Sequence, residues 1–157
     1  MNYSMTKLPE NTEELLSALS EYRSSPEGAV AGCIAALSIL ARDPEEGRSA
    51  VLLMNPDTPE SSLRLAENQL ADSPWLMGSY FHGATPENGY TISGEYSLEL
   101  TTNSYSGSPE DGSVKFFVAC SGADSPRPVT VESRENGFWY PREWSSLIVG
   151  IRKPLNL

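Results

Sequence analysis

Histidine occurs once in this chain of 157 residues, at position 82, so a metal site built from several imidazoles is excluded. Cysteine occurs twice, at Cys33 and Cys120, with no CxxC pair and no second thiol close enough in sequence to share an ion. The expectation is two free thiols in a reducing compartment, not a disulfide framework. Positive charge is also scarce. Lys and Arg number 11 against 21 Asp and Glu, and the resulting net charge of −10 repels phosphate backbones and anionic headgroups, so no nucleic acid and no membrane surface is expected as a partner. No apolar run is long enough to span a bilayer, since the longest, 29–41, is interrupted by Gly32 and Ser38. The first ten residues carry one lysine and no apolar segment, which speaks against a secretory leader and for a cytoplasmic location. The nucleophile elbow GxSxG, the phosphate loops GxGxxG and GxxxxGK[ST], and the EF-hand loop are all missing. No cofactor and no metal is expected, although an oxygen-only cation site stays open in so acidic a chain.

What is present is an ordinary globular composition: 39% hydrophobic and 20% charged residues exclude a disordered tail, a collagen and a coiled coil. The length fits a single domain over 1–157 that buries roughly 70% of the surface its unfolded form exposes. The apolar pattern changes near residue 73, from a helical period to a period of two. In the helical part, 8–72, Asn11 followed by Glu14 reads as a cap opening a helix with Leu15, Leu19 and Tyr22 on one face. Ser25-Pro26-Glu27, Asp43-Pro44-Glu45 and Thr58-Pro59-Glu60 repeat the same start grammar, which predicts four helices. The second, rich in alanine around Val30, Cys33, Ile34, Leu37 and Leu40, is expected to be central.

Residues 73–89 are rich in Gly, Pro and Ser yet carry Trp75, Leu76, Met77, Tyr80 and Phe81, so this is an ordered loop lying on the body of the protein. The remainder, 90–152, reads as antiparallel strands: Tyr96, Leu98 and Leu100 alternate with polar residues, as do Val114, Phe116 and Val118, and Val129 and Val131. Trp144 to Ile151 is apolar but fits strand and helix equally. Helices first and sheet after is the order of an α+β fold, a four-helix segment packed on an antiparallel sheet.

Asn136-Gly137 predicts a two-residue hairpin turn. That register sets Arg134 opposite Trp139 and turns Trp139 away from the face of Val129 and Val131, with Arg134 stacked on its ring. Phe117 shares the face of Lys115 and Ala119, so the second side of the sheet is expected to carry a sparse aromatic patch, either covered by another segment or free for docking. Strand pairing after the hairpin is expected to stop at Pro141, which has no N–H to donate.

The charged candidates lie in loops. Arg127 stands between Pro126 and Pro128 on stiff backbone, suited to bidentate pairing with Glu87 or Asp124, or with an external carboxylate. His82 beside Phe81 is a surface or hydrogen-bonding residue more readily than a general base. Tyr80, Phe81, His82, Glu87, Asn88, Tyr90, Asp124, Arg127 and Trp139 form the candidate binding set, and no catalytic residue stands out.

The stretches Ser79-Tyr80-Phe81-His82-Gly83-Ala84-Thr85-Pro86-Glu87-Asn88-Gly89-Tyr90 and Gly122-Ala123-Asp124-Ser125-Pro126-Arg127-Pro128-Val129 resemble an uncharacterised bacterial domain family. Its members look like acidic cytoplasmic proteins with SYFxGATPENxY and GGADSPRPV signatures, a Trp after a charged hairpin and an IRxP ending, matched here by Trp139 and Ile151-Arg152-Lys153-Pro154. Two positions depart: His82 stands where Asn is more frequent in the family, and Ser121 where it has Gly. The family has no assigned activity, so the resemblance implies a fold and a compartment and no reaction. Element order also resembles the cone-shaped nuclear-transport-factor-like fold.

Three readings follow. The first is a non-enzymatic binding or interaction domain, taking another protein or a small ligand at a rim made of the 78–90 and 124–127 loops. The second is a small enzyme with a pocket between helices and sheet and His82 or Glu87 as base. The third is an acidic immunity-type protein that neutralises a basic toxin.

Overall fold

The computed structural model describes residues 1–92 and 94–155. It is an α+β structure, with the helices mostly N-terminal and an antiparallel sheet made mostly by the C-terminal part.

The start grammar of the helices works as local chemistry dictates. Asn11 accepts from the Glu14 N–H at 2.9 Å, Ser25 from the Gly28 N–H at 2.9 Å and Asp43 from the Glu46 N–H at 3.2 Å. They open α1 (Thr12–Ser17), α3 (Pro26–Arg42) and α4 (Pro44–Met54). The helix expected from Asn11 to Tyr22 breaks at Ala18 into α1 and α2 (Leu19–Arg23), so five helices are described where four were expected. Thr58 does not cap α5 (Glu60–Asp72). It donates to the Asn55 carbonyl at 2.6 Å instead, and the helix starts after Pro59.

Helix α3 is the centre, as its small residues require. Ala29, Val30, Ala31, Ile34, Ala35, Leu37 and Ile39 are fully buried, and α2, α4, α5 and the sheet all pack on it. Contact with α4 is closest at Gly47, where a methyl would be driven into the backbone of Leu40.

The sheet runs β1 (Asn2–Met5), β2 (Tyr96–Thr101), β4 (Ser113–Val118), β5 (Arg127–Ser133) and β6 (Trp139–Glu143), with β3 (Gly107–Ser108) a short third partner of β4. Strand β1 precedes the helices, a departure from the helices-first order. It is four residues long, and it pairs with β2 so that Tyr3 faces Leu98 and Met5 faces Tyr96. One sheet face, with Leu98, Leu100, Val114, Phe116, Val118, Val129 and Val131, joins the core cluster made by the helices. On the other face Phe117 is half-buried with the Lys115 ammonium 5.7 Å from its ring centre.

The hairpin departs from expectation by one residue. The Arg134 N–H donates to the Phe138 carbonyl at 3.0 Å and the Gly137 N–H to the Arg134 carbonyl at 2.8 Å. That is a three-residue loop with Gly137 in the left-handed region (φ 80°). Trp139 therefore faces Ser133 and lies in the core at 8% exposure, instead of pointing outward. A slip of one residue exchanges the two faces of a strand. Arg134 lies over Tyr140 instead, at 4.0 Å, together with Arg23 at 4.8 Å. Pairing continues through Pro141 to Glu143, because β6 is the edge strand, where a missing N–H costs no ladder bond.

Candidate functional site

Residues 76–80 form a 3-10 turn whose Leu76, Met77 and Tyr80 enter the core, and a second 3-10 turn, 145–148, occupies the segment that sequence left between strand and helix. These two turns meet. Tyr80 donates its hydroxyl to the Leu147 carbonyl, and the adjacent carbonyl, Ser146, accepts from Arg127 at 3.3 Å. Arg127 also donates to the Gly150 carbonyl at 3.1 Å. Two segments remote in sequence thus converge on one C-terminal turn.

The expected pairing of Arg127 with Glu87 or Asp124 is not what the fold builds. Backbone carbonyls take its guanidinium: Ser146 in the 3-10 turn has no donor within the turn for its carbonyl, and Gly150 lies just beyond it. Asp124 pairs with Arg152 at 2.8 Å. Glu87 is exposed at the tip of its loop.

The C-terminal segment continues as a lace. The Arg152 N–H donates to the Gly122 carbonyl at 2.9 Å, the Leu155 N–H to the Pro86 carbonyl at 2.9 Å, and the Tyr90 hydroxyl to the Arg152 carbonyl at 2.6 Å. Gly122 is needed at this crossing, where a Cβ would collide with the Tyr90 hydroxyl and with Ile151. Asn88 is spent inside its loop: its oxygen accepts from the Thr85 and Thr91 N–H groups at 2.9 and 3.1 Å, and its amide donates to Gly83 at 2.9 Å. Tyr90 stacks on Trp75, 5.7 Å between ring centres. Much of both motif stretches is therefore occupied in holding the loops to one another.

Lacing leaves an opening in the sheet. The Ala119 N–H still donates to the Glu99 carbonyl at 3.0 Å, after which the chain turns away, and further along β2 the His82 N–H takes over by donating to Ser97 at 2.8 Å. The Ser121 N–H then ties back to the Ser79 carbonyl at 3.0 Å. In this fork lies an open cavity of about 320 Å³, lined by residues 79–85 on one side and by Glu99, Ala119, Cys120 and Ser121 on the other. Tyr80, Phe81 and Ala84 are buried and supply apolar wall, while His82 and Glu99 are exposed at the mouth. The Ser79 hydroxyl donates to the Leu76 carbonyl at 2.7 Å and lies 3.3 Å from the Cys120 sulfur.

Of the nine candidate residues, Tyr80, Phe81 and His82 line this cavity. Tyr90, Asn88, Asp124 and Arg127 hold its supporting loops, Glu87 stands apart, and Trp139 belongs to the core. Sequence reasoning missed Glu99, Cys120 and Ser121. Glu99 was legible only as the polar half of a strand alternation, Cys120 only as the continuation of the β4 alternation past its end at Val118, and Ser121 only as a departure from the family signature. Among the described residues no group of three or more His, Cys, Asp or Glu side chains is placed to hold a metal ion, and no helix is long and apolar enough to cross a membrane. Burial raises the Tyr80 phenol far above its usual range, so it stays a protonated donor to Leu147.

Fold and site together define an α+β domain with an open, ligand-sized cavity where its sheet forks. The chain belongs to the family described as a domain of unknown function, DUF6935, whose model matches residues 7–155. No curated protein matches the chain, and no solved structure does, so the likeness to the cone-shaped fold rests on element order alone.

Proposed function

We propose that this chain is a binding domain and that its site is the cavity in the sheet fork. The observation that carries the reading is the way the cavity is held: the Ser121 N–H ties one wall to the other at the Ser79 carbonyl, and Tyr80 and Arg127 anchor the two loops on carbonyls of one C-terminal turn, so ordering of the loops is already accomplished before a ligand arrives. The volume suits a small ligand or one side chain of a partner protein. Phe81 and Ala84 offer apolar contact, while the His82 imidazole and the Glu99 carboxylate offer polar contact at the mouth. Ser79 and Tyr80 are already committed to main-chain carbonyls, which favours binding over proton transfer. A cytoplasmic location is part of the reading, supported by the two unpaired thiols, and the acidic charge weighs against nucleic acid and membrane.

The test is a chemical-shift titration with a library of small fragments. Hits should cluster their shifts on the amides of His82, Ala84 and Ser121, and should slow the reaction of Cys120 with a thiol reagent. Fragments that shift amides elsewhere and leave Cys120 reactivity unchanged contradict the assignment.

A further inference from the structure

A second, larger opening lies between β1 and the first two helices. After β1 the chain crosses residues 6–9 before entering α1, and beneath this crossing is a cleft of about 450 Å³. Met5, Ala18 and Tyr22 give it apolar surface, and Glu14, Glu21 and Glu95 bring carboxylates to it. Glu14 is already paired with Lys7 at 3.1 Å, whereas Glu21 and Glu95 are exposed and form no ion pair among the described residues.

The Tyr22 hydroxyl supplies an independent observation. The residue is 3% exposed and its hydroxyl donates to the Met5 thioether sulfur at 3.1 Å, among the weakest acceptors a protein offers. Among the described residues no group donates to its oxygen, so a buried phenol oxygen at an acidic cleft is left as a free acceptor. Burial first, and then the nearby Tyr3 and Glu21, push this phenol up, and Glu21 lines the same cleft as Tyr22. A phenol acceptor, apolar walls and unpaired carboxylates together match a cationic head on an aliphatic stem.

We propose that this cleft receives a Lys or Arg side chain from a basic segment of a partner protein. The head is taken by Glu21 and Glu95 with the Tyr22 oxygen accepting, and the stem lies on Met5 and Ala18. A segment carrying several positive charges is favoured over a single free amine because the net charge of −10 attracts each of them, while one ammonium in screened solution gains little. The cleft also adjoins β1, the strand at the opposite edge of the sheet from β6, whose Asn2 and Ser4 are exposed, so an extended segment has room to lie alongside.

The experiment is a titration of the full chain with a capped Lys-Gly repeat peptide, its fully acetylated form, and butylamine, followed through the amide resonances of Thr6, Ser17, Ala18 and Tyr22. The lysine peptide should move these signals, with an affinity that falls as salt rises. Exchanging Glu21→Gln together with Glu95→Gln should weaken it about tenfold, and Glu21→Lys should abolish it; both variants keep an unchanged thermal midpoint because these side chains are exposed. Binding that is indifferent to these substitutions, or equal binding of the acetylated peptide, overturns the site. Butylamine matching the peptide at low millimolar salt and at 0.15 M salt overturns the assignment to a protein segment. None of these outcomes depends on whether the fork cavity binds anything.

Discussion

The helical layer and the C-terminal lace hold together by different means. Around α3, cohesion is apolar and dense: Ile34 and Leu37 are fully enclosed and α4 approaches so closely that only Gly fits at position 47. Around 145–155, Leu147 and Ile148 root the segment in the same core, and what is added there is polar and directional, made by Tyr80, Tyr90, Arg127 and main-chain N–H groups reaching backbone carbonyls. Burial of apolar area is non-directional and sums over many contacts, while each hydrogen bond contributes little net yet leaves a costly orphan when one partner is removed. The first region sets global stability, and the second sets where the loops stand.

The largest effect is expected in the helical layer. Leu37→Ala should destabilise the whole fold by about 2–5 kcal/mol, read as a lower urea midpoint with all probes moving together. Selective loss of the 145–155 segment would break the division drawn here. A smaller and local effect is expected at Arg127→Met, which leaves the Ser146 and Gly150 carbonyls without their donor. The cost should be about 1–3 kcal/mol, with the Arg152 and Leu155 amides losing protection from exchange while α3 amides keep theirs. The smallest effect is expected at Glu143→Gln. Glu143 accepts from the Ser145 hydroxyl at 2.6 Å and the Ser145 N–H at 2.9 Å, which holds its carboxyl below the ordinary value of 4.5. A lowered folded-state pKa contributes stability above the unfolded value and loses it as the pH falls through the folded one. The variant should therefore unfold slightly earlier at pH 7, and the gap from the parent should close as the pH drops below 4.5. A constant gap across that range contradicts the carboxylate's role.

The same division explains what the sequence let us read. Caps at Asn11, Ser25 and Asp43 are legible because donor and acceptor lie three residues apart on one strand of chain. The period of α3 and of β2, β4 and β5 is legible for the same reason. Strand β1 offers only Tyr3 and Met5 against Asn2 and Ser4, too short an alternation to outweigh other readings. At Asn136-Gly137 the sequence permits both a two-residue and a three-residue turn, since each takes a left-handed Gly; the choice is made by the burial of Trp139, which is tertiary information. Arg127 was legible as stiffly mounted, but its partners are carbonyls of Ser146 and Gly150, and a carbonyl carries no residue identity. The candidate site was half-visible on that account: the 79–83 wall announced itself by aromatic residues in a loop, and the opposing Glu99, Cys120 and Ser121 did not.

Native-state hydrogen exchange at the Ser121, Arg152 and Leu155 amides tests the lace most directly, because these three donate to Ser79, Gly122 and Pro86 across the whole assembly. They should exchange together, well protected, with one common opening free energy below that of the α3 amides, and Arg127→Met should lower that value for all three. Exchange of the Arg152 and Leu155 amides at the rates of an unstructured peptide would contradict it, and the support of the fork cavity would go with it.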